Sequence, residues 1–177
     1  MLRLGLVICL LLLSACVPKA KPQDDYFSRN SIGPERQISF EGRVAKLGFI
    51  GEDANSLIAR GAVAAGSFEA PASTLYQFSG SDNQFYVCQA TGQVFEIRLI
   101  FTDGGNNGYL TPFGVGFLSF LDELQSAGLR VAGENGQLLY FSYGYDDGNQ
   151  LTQSVGFYFT YDQSLNRITV IDIIAPC

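Results

Sequence analysis

Alternating apolar and polar residues predict two groups of strands, one in the middle of the chain and one at its end. Between residues 93 and 101, Phe95, Ile97, Leu99 and Phe101 are predicted to share one buried face. Turn residues divide the neighbouring sequence into similar segments. The predicted strands are residues 74–79, 84–89 and 93–101 in a first meander, and 129–132, 137–145, 151–161 and 167–174 in a second.

Two helices are predicted from apolar residues at helical spacing. The first runs from an N-cap at Asp53 to about residue 65, and the second covers residues 113–127 and ends at Gly128. Their apolar stripes are Leu57, Ile58, Ala62 and Val63, and Phe117, Phe120, Leu121 and Leu124. Residues 38–50 have imperfect alternation and predict one or two further strands.

These elements together predict an α+β fold. Two antiparallel β-meanders are separated by a helix, within a single domain of residues 38–177. Asn135-Gly136 and Asp147-Gly148 are two-residue hairpin signals inside the second meander. No internal repeat is evident in the sequence.

The first residues have the layout of an export signal. Arg3 precedes an apolar run at residues 4–13, which is too short to span a bilayer of about 30 Å. The run ends in Leu13-Ser14-Ala15-Cys16, which resembles the lipobox of bacterial lipoproteins. The resemblance implies a signal peptide of residues 1–15 and a lipid on Cys16, with two or more acyl chains for stable anchoring. An ordinary secretory signal or an uncleaved anchor is the alternative.

The resemblance also implies a place in the cell. The protein is expected in the bacterial cell envelope, facing the periplasm or the cell surface, and Val17 rather than Asp after the lipidated cysteine favours the outer membrane. Residues 16–37 are rich in Pro and polar residues and predict a flexible tether between the lipid and the domain.

Two cysteines remain for a disulfide once Cys16 carries lipid. In an oxidising envelope, Cys88 and Cys177 are expected to pair. Two buried free thiols and an intermolecular bond are the alternatives.

The charge balance bears on the class of partner. Without residues 1–15 the chain has ten basic and seventeen acidic residues. Such an acidic protein is not expected to bind nucleic acid or to adhere generally to anionic lipid. The expected contacts are the membrane, through the lipid, and another envelope protein.

Few residues point to catalysis or to a cofactor. The chain has no histidine, which excludes histidine-dependent triads and most zinc sites. Asp146-Asp147 is the obvious carboxylate pair, although a solvated turn explains it, and the Asp103–Gly108 loop only faintly resembles a calcium loop. No cofactor, no metal and no catalytic residue are therefore predicted.

Tyrosines provide the one candidate interaction surface. Both faces of the predicted hairpin at residues 137–161 carry aromatic rings, so one face is available for protein or sugar recognition. The tyrosines are Tyr140, Tyr143, Tyr145, Tyr158 and Tyr161. The alternative is that one face packs on the core and the other under a helix or the N-terminal segment.

The function expected from these observations is that of a non-enzymatic, membrane-anchored binding or assembly module for another envelope protein. Two alternatives stay open. One is an inhibitor or immunity-type lipoprotein that blocks a periplasmic hydrolase, and the other is a carboxylate-dependent enzyme acting on cell-wall sugars.

Overall fold

β-Strands are the main secondary structure in the part of the chain that the structure describes. The computed structural model describes residues 36–44, 46–102, 108–143 and 155–177. The elements are β1 (Arg43–Val44), β2 (Gly48–Phe49), α1 (Ala54–Ala59), β3 (Ala62–Glu69), β4 (Ala72–Phe78), β5 (Gln84–Cys88), β6 (Val94–Ile100), α2 (Leu121–Ser126), β7 (Arg130–Asn135), β8 (Leu138–Tyr143), β9 (Gly156–Asp162) and β10 (Arg167–Ile174). The lipobox, most of the predicted tether, Asp103, Tyr145 and the Asp146-Asp147 pair lie outside the described residues.

Eight of the strands form one antiparallel sheet. Its order is β3-β4-β5-β6-β10-β9-β8-β7, so each predicted meander is present and the last strand of one pairs with the last strand of the other. The prediction of antiparallel meanders is confirmed. The prediction that a helix separates the two meanders is not confirmed. Helix α2 lies between β6 and β7 along the chain, but the two meanders are neighbours in the sheet.

Residues 38–50 form a small structure of their own. Strands β1 and β2 pair with each other in a two-stranded sheet. Val44 of β1 also forms an antiparallel bridge with Ile38, and a parallel bridge links Gln37 to Leu110. The strands predicted in this region therefore exist, and they do not join the main sheet.

Both predicted helices are too long. Asp53 caps α1 as predicted, accepting a hydrogen bond from the Asn55 N–H at 2.8 Å, but the helix ends before Gly61, whose φ is +96°. The segment after Gly61 is edge strand β3, where Val63 is 62% exposed. The apolar residues at 62 and 63 satisfied a helical pattern, but they lie on a strand.

The second helix begins late for a local reason. The Phe120 N–H donates to the Glu123 carboxylate at 2.6 Å, which starts α2 at Leu121. Before it, Gly114 has a φ of +75° and the Thr111 hydroxyl donates to the Val115 carbonyl at 2.7 Å, so the chain turns instead of coiling. The predicted stop is confirmed, since Gly128 has a φ of +82°.

One predicted strand face is wrong at a single residue. The register of β5 against β6 shifts between Tyr86 and Val87, so Phe95 is the extra residue of a β-bulge. Phe95 consequently packs with Tyr86, at 6.5 Å between ring centroids, on the face opposite to Ile97.

The two meanders are structural repeats of each other. Each follows a six-residue helix with a fully buried leucine, Leu57 or Leu124, and then a glycine in the left-handed region. The first strand pair of each has a bulge at the same point, between Ala64 and Gly66 and between Val131 and Gly133. The fold therefore contains a structural repeat that was not expected from the sequence.

The repeat extends to the register of the later strands. The bulge at Phe95 has its equivalent at Thr169, where the pairing of β9 with β10 shifts. Where the repeats meet, Ile97 pairs with Ile173, Leu99 with Ile171, and Arg98 with Asp172. Exchanging the two repeats leaves this register unchanged, so a pseudo-two-fold axis passes between Arg98 and Asp172.

The expected disulfide is present. Cys88, the last residue of β5, is bonded to Cys177, three residues beyond β10, with a Cα–Cα distance of 5.4 Å and a sequence separation of 89. Neither helix in the described part of the chain is long and apolar enough to cross a membrane.

We expect the Cys88→Ser/Cys177→Ser double variant to lose roughly 4–5 kcal/mol of unfolding free energy, because the bond closes a loop that spans half of the chain. Urea unfolding of the oxidised chain and the double variant measures the difference. The wild-type chain under reducing conditions is the control and should match the double variant. A loss below about 1 kcal/mol would contradict the prediction.

Candidate functional site

The two faces of the eight-stranded sheet have different surroundings. One face carries the main core, in which both helices and the segment around Phe117 pack against Ile97, Leu99 and Phe157. The opposite face, which we call the open face, carries residues that alternate with these along each strand. Its central side chains, among them Arg98, Tyr158 and Asp172, are half-buried.

The first repeat fills its part of the open face with its own side chains. Leu75, Tyr86, Cys88 and Phe95 form a separate apolar cluster there, and the ring of Phe68 lies 5.5 Å from that of Tyr86. This part of the open face is therefore packed and includes one end of the disulfide.

The second repeat has a groove in the corresponding place. The groove has a volume of about 480 Å³ and is lined by residues from six neighbouring strands, β5 through β7 in sheet order. The groove therefore extends across the second repeat and over the junction with the first. The polar side chains along it are Gln84, Arg98, Tyr140, Tyr158, Thr160 and Asp172.

An ionic cluster lies at the pseudo-two-fold axis beside the groove. Arg98 donates from Nε to Asp172 Oδ1 at 2.7 Å, and its Nη2 lies 3.2 Å from Glu96 Oε1. Glu96 Oε1 is buried and has no partner in hydrogen-bond geometry, so the Glu96 contact is an ion pair only. Beside the ionic cluster, the Tyr86 hydroxyl donates a hydrogen bond to Gln84 Oε1 at 2.8 Å.

Burial disfavours the charged form of both carboxyl groups. It raises the pKa of Asp172, and the hydrogen bond and charge of Arg98 offset only part of that effect. Burial, and next the charge of Asp172, raise the pKa of Glu96, which Arg98 again lowers only in part. Two carboxylates around one guanidinium leave one excess negative charge.

The five tyrosines of the predicted interaction surface do not lie together. Tyr140 and Tyr158 line the groove on the open face. Tyr161 is 1% exposed in the main core, and Tyr143 lies against the core with its ring stacked 3.6 Å from that of Phe113. The prediction is therefore corrected for Tyr143 and Tyr161, because β8 and β9 turn alternate residues to opposite faces; Tyr145 lies outside the described residues.

Sequence reasoning missed the ionic cluster and the groove. Glu96 and Arg98 are visible as the polar positions of β6, but the contact of Arg98 with Asp172, 74 residues away, depends on the pairing of β6 with β10. The internal repeat was the available signal, since Gly61-Ala-Val-Ala-Ala-Gly66 corresponds to Gly128-Leu-Arg-Val-Ala-Gly133.

A second cluster of charges has a structural explanation. Arg60 pairs with the buried Glu52 at 2.7 Å and donates to the Leu47 carbonyl at 2.8 Å, which ties α1 to the loop between β1 and β2. Arg43 and Lys46 border the same small cleft of about 160 Å³. The groove on the open face is larger and is the candidate binding site.

Comparison with protein-family models found no match. Neither the curated proteins nor the solved structures include a match to this chain. The residues and geometry of the open face, together with the lipobox, are the features of this chain that bear on its function.

We expect Glu96→Gln to raise the unfolding free energy at neutral pH, because it removes a charge that burial and Asp172 disfavour. The raised pKa means that the folded state binds this proton more tightly than the unfolded state. The wild-type chain therefore loses stability as pH rises from the ordinary value of 4.5 through the raised value, and the advantage of the variant appears in that window.

Urea unfolding of both chains across this pH range measures the effect. Glu134→Gln, on the exposed surface of β7, removes the same charge and should leave stability nearly unchanged. An advantage of Glu96→Gln that is as large below pH 4.5 as at neutral pH would contradict the interpretation.

Proposed function

We propose that this protein is a lipid-anchored component of the bacterial envelope that binds another envelope protein through the open face of its sheet. The anchor is Cys16 in the lipobox, and residues 16–37 supply the tether. The observation that carries the binding role is the concave groove, since single domains rarely leave such a surface without a use.

The chemistry of the groove suits protein recognition. Tyr140 and Tyr158 provide broad rings with a polar end, which give contact area at a low cost in side-chain entropy. Val170 and Ile100 supply apolar contacts, and Thr160 and Gln84 supply hydrogen-bonding groups. Apolar contacts surrounded by polar groups are typical of protein interfaces.

An inhibitor of a periplasmic hydrolase would use the same surface. That alternative differs from an assembly role only in the partner, which would be one enzyme held tightly in a one-to-one complex.

A carboxylate-dependent enzyme is the second candidate function. Glu96 and Asp172 converge, and both have a raised pKa, as the acid of a glycosidase requires. Against this candidate, Arg98 lies between the two groups and holds the Asp172 oxygen at 2.7 Å. Release of soluble fragments from purified cell-wall glycan by the wild-type chain, and not by Glu96→Gln, would favour the enzyme.

We expect a photo-crosslinking amino acid at Thr160, in the groove, to give one discrete protein adduct in living cells. The same amino acid at Ile58, which is 48% exposed on α1, is the matched control and should give none. Immunoblotting of the full chain after illumination measures the adduct. A single adduct from the membrane fraction supports the proposal, and adduct formation at neither position, or equally at both, would overturn it.

The same samples test the anchor through a Cys16→Ala variant. The wild-type chain should fractionate with membranes and gain the mass of a lipid, whereas the variant should do neither and should give less adduct. A wild-type mass that matches an unlipidated chain would remove the anchor from the proposal.

A further inference from the structure

Acidic residues dominate the part of the chain that forms the sheet. Residues 61–177 contain three arginines, no lysine and eleven acidic residues, a difference of −8. The other seven basic residues of the chain beyond Arg3 all lie between residues 16 and 60. This segment therefore has a net negative charge, which favours positively charged partners.

We propose that the open face binds a basic protein segment, with a lysine or arginine side chain of the partner lying in the groove against Asp172. This inference rests on the proposed function and names the chemistry of the partner.

The charges beside the groove are complementary to such a side chain. Glu96, Arg98 and Asp172 together carry one excess negative charge, and only Arg98 and Asp172 of the three line the groove. A cation from a partner would complete a paired arrangement of two acids and two bases. The raised pKa values of both carboxyl groups are consistent with this, because they show that Arg98 alone does not offset the burial of two negative charges.

The walls of the groove fit the remainder of a long basic side chain. Val170 and Ile100 lie beside the charged pair and can pack against its methylene groups. Tyr140 and Tyr158 also line the groove, and an aromatic ring attracts a cation through its electrostatics. Charged, apolar and aromatic residues therefore occur together in one groove.

Charge also decides against a second copy of this chain as the occupant. A two-fold dimer would place the same face against itself. Each face carries the same ionic cluster with one excess negative charge, so the contact would bring like charges together. Anionic partners such as nucleic acid are disfavoured for the same reason.

The test is fluorescence anisotropy of labelled octalysine and octaglutamate with the full chain in detergent. We expect octalysine to bind and octaglutamate not to bind. Asp172→Asn should weaken octalysine binding by roughly tenfold, as expected for loss of a partly buried charge pair. Glu134→Gln removes an equal charge from β7 outside the groove and should change the affinity by less than about twofold.

A second pair of variants keeps the test valid if Asp172→Asn does not fold. Thr160→Lys places a positive charge in the groove and should abolish octalysine binding, whereas Val63→Lys adds the same charge on exposed edge strand β3 and should not. Thermal melting confirms that each variant is folded. Equal binding of the two peptides, no binding of octalysine, or equal effects within each variant pair would overturn the inference.

Photo-crosslinking separates this inference from the proposed function. If Asp172→Asn does not reduce the adduct at Thr160, a protein partner exists but does not bind through a basic side chain, and this inference is wrong. If no adduct forms at all, the proposed function itself is wrong. A crosslink from Thr160 to residues 17–35 of the same chain would identify the tether, with its Lys19, Lys21 and Arg29, as the occupant and would overturn the inference.

Discussion

The pairing of β6 with β10 is the interaction on which the rest of the structure depends. It joins the last strands of two meanders in a register centred on Arg98 and Asp172, and it turns two four-stranded units into one sheet. A four-stranded sheet with one short helix buries little apolar surface by itself. Joined, the repeats bury Ile97, Leu99 and Ile171 in one continuous core, and the disulfide fixes β5 to the end of the chain beyond β10.

Divergence between the repeats produces the candidate site. The first repeat has Leu75, Tyr86 and Phe95 packed together on the open face. At the equivalent positions the second repeat has Tyr140, Thr160 and Thr169, and a groove lies where the first repeat has a cluster. A symmetric scaffold thus carries one packed half and one half suited to a partner, with the ionic cluster at the boundary.

Local patterns were sufficient for much of the fold. Alternation and turn residues predicted seven of the eight strands of the sheet, with β10 at its observed bounds, and the expectation of an oxidising envelope predicted the disulfide. Strand β3 was missed because an exposed edge strand rich in alanine has no alternating pattern. The bulge at Phe95 turned its side chain to the opposite face from the one predicted. Of the four described tyrosines in the predicted interaction surface, Tyr143 and Tyr161 pack in or against the core. The groove and the meeting of Arg98 with Asp172 depend on long-range pairing, which local patterns do not encode.

Native-state hydrogen exchange tests the central claim, that the two repeats form one cooperative sheet through β6 and β10. The account predicts that the slowest amides of both meanders exchange with the same free energy of opening, equal to that of global unfolding. Exchange of one meander at a clearly lower free energy, with the other still protected, would contradict it. That result would mean that the repeats are separate units and that the groove between β5 and β7 is not held by a single structure.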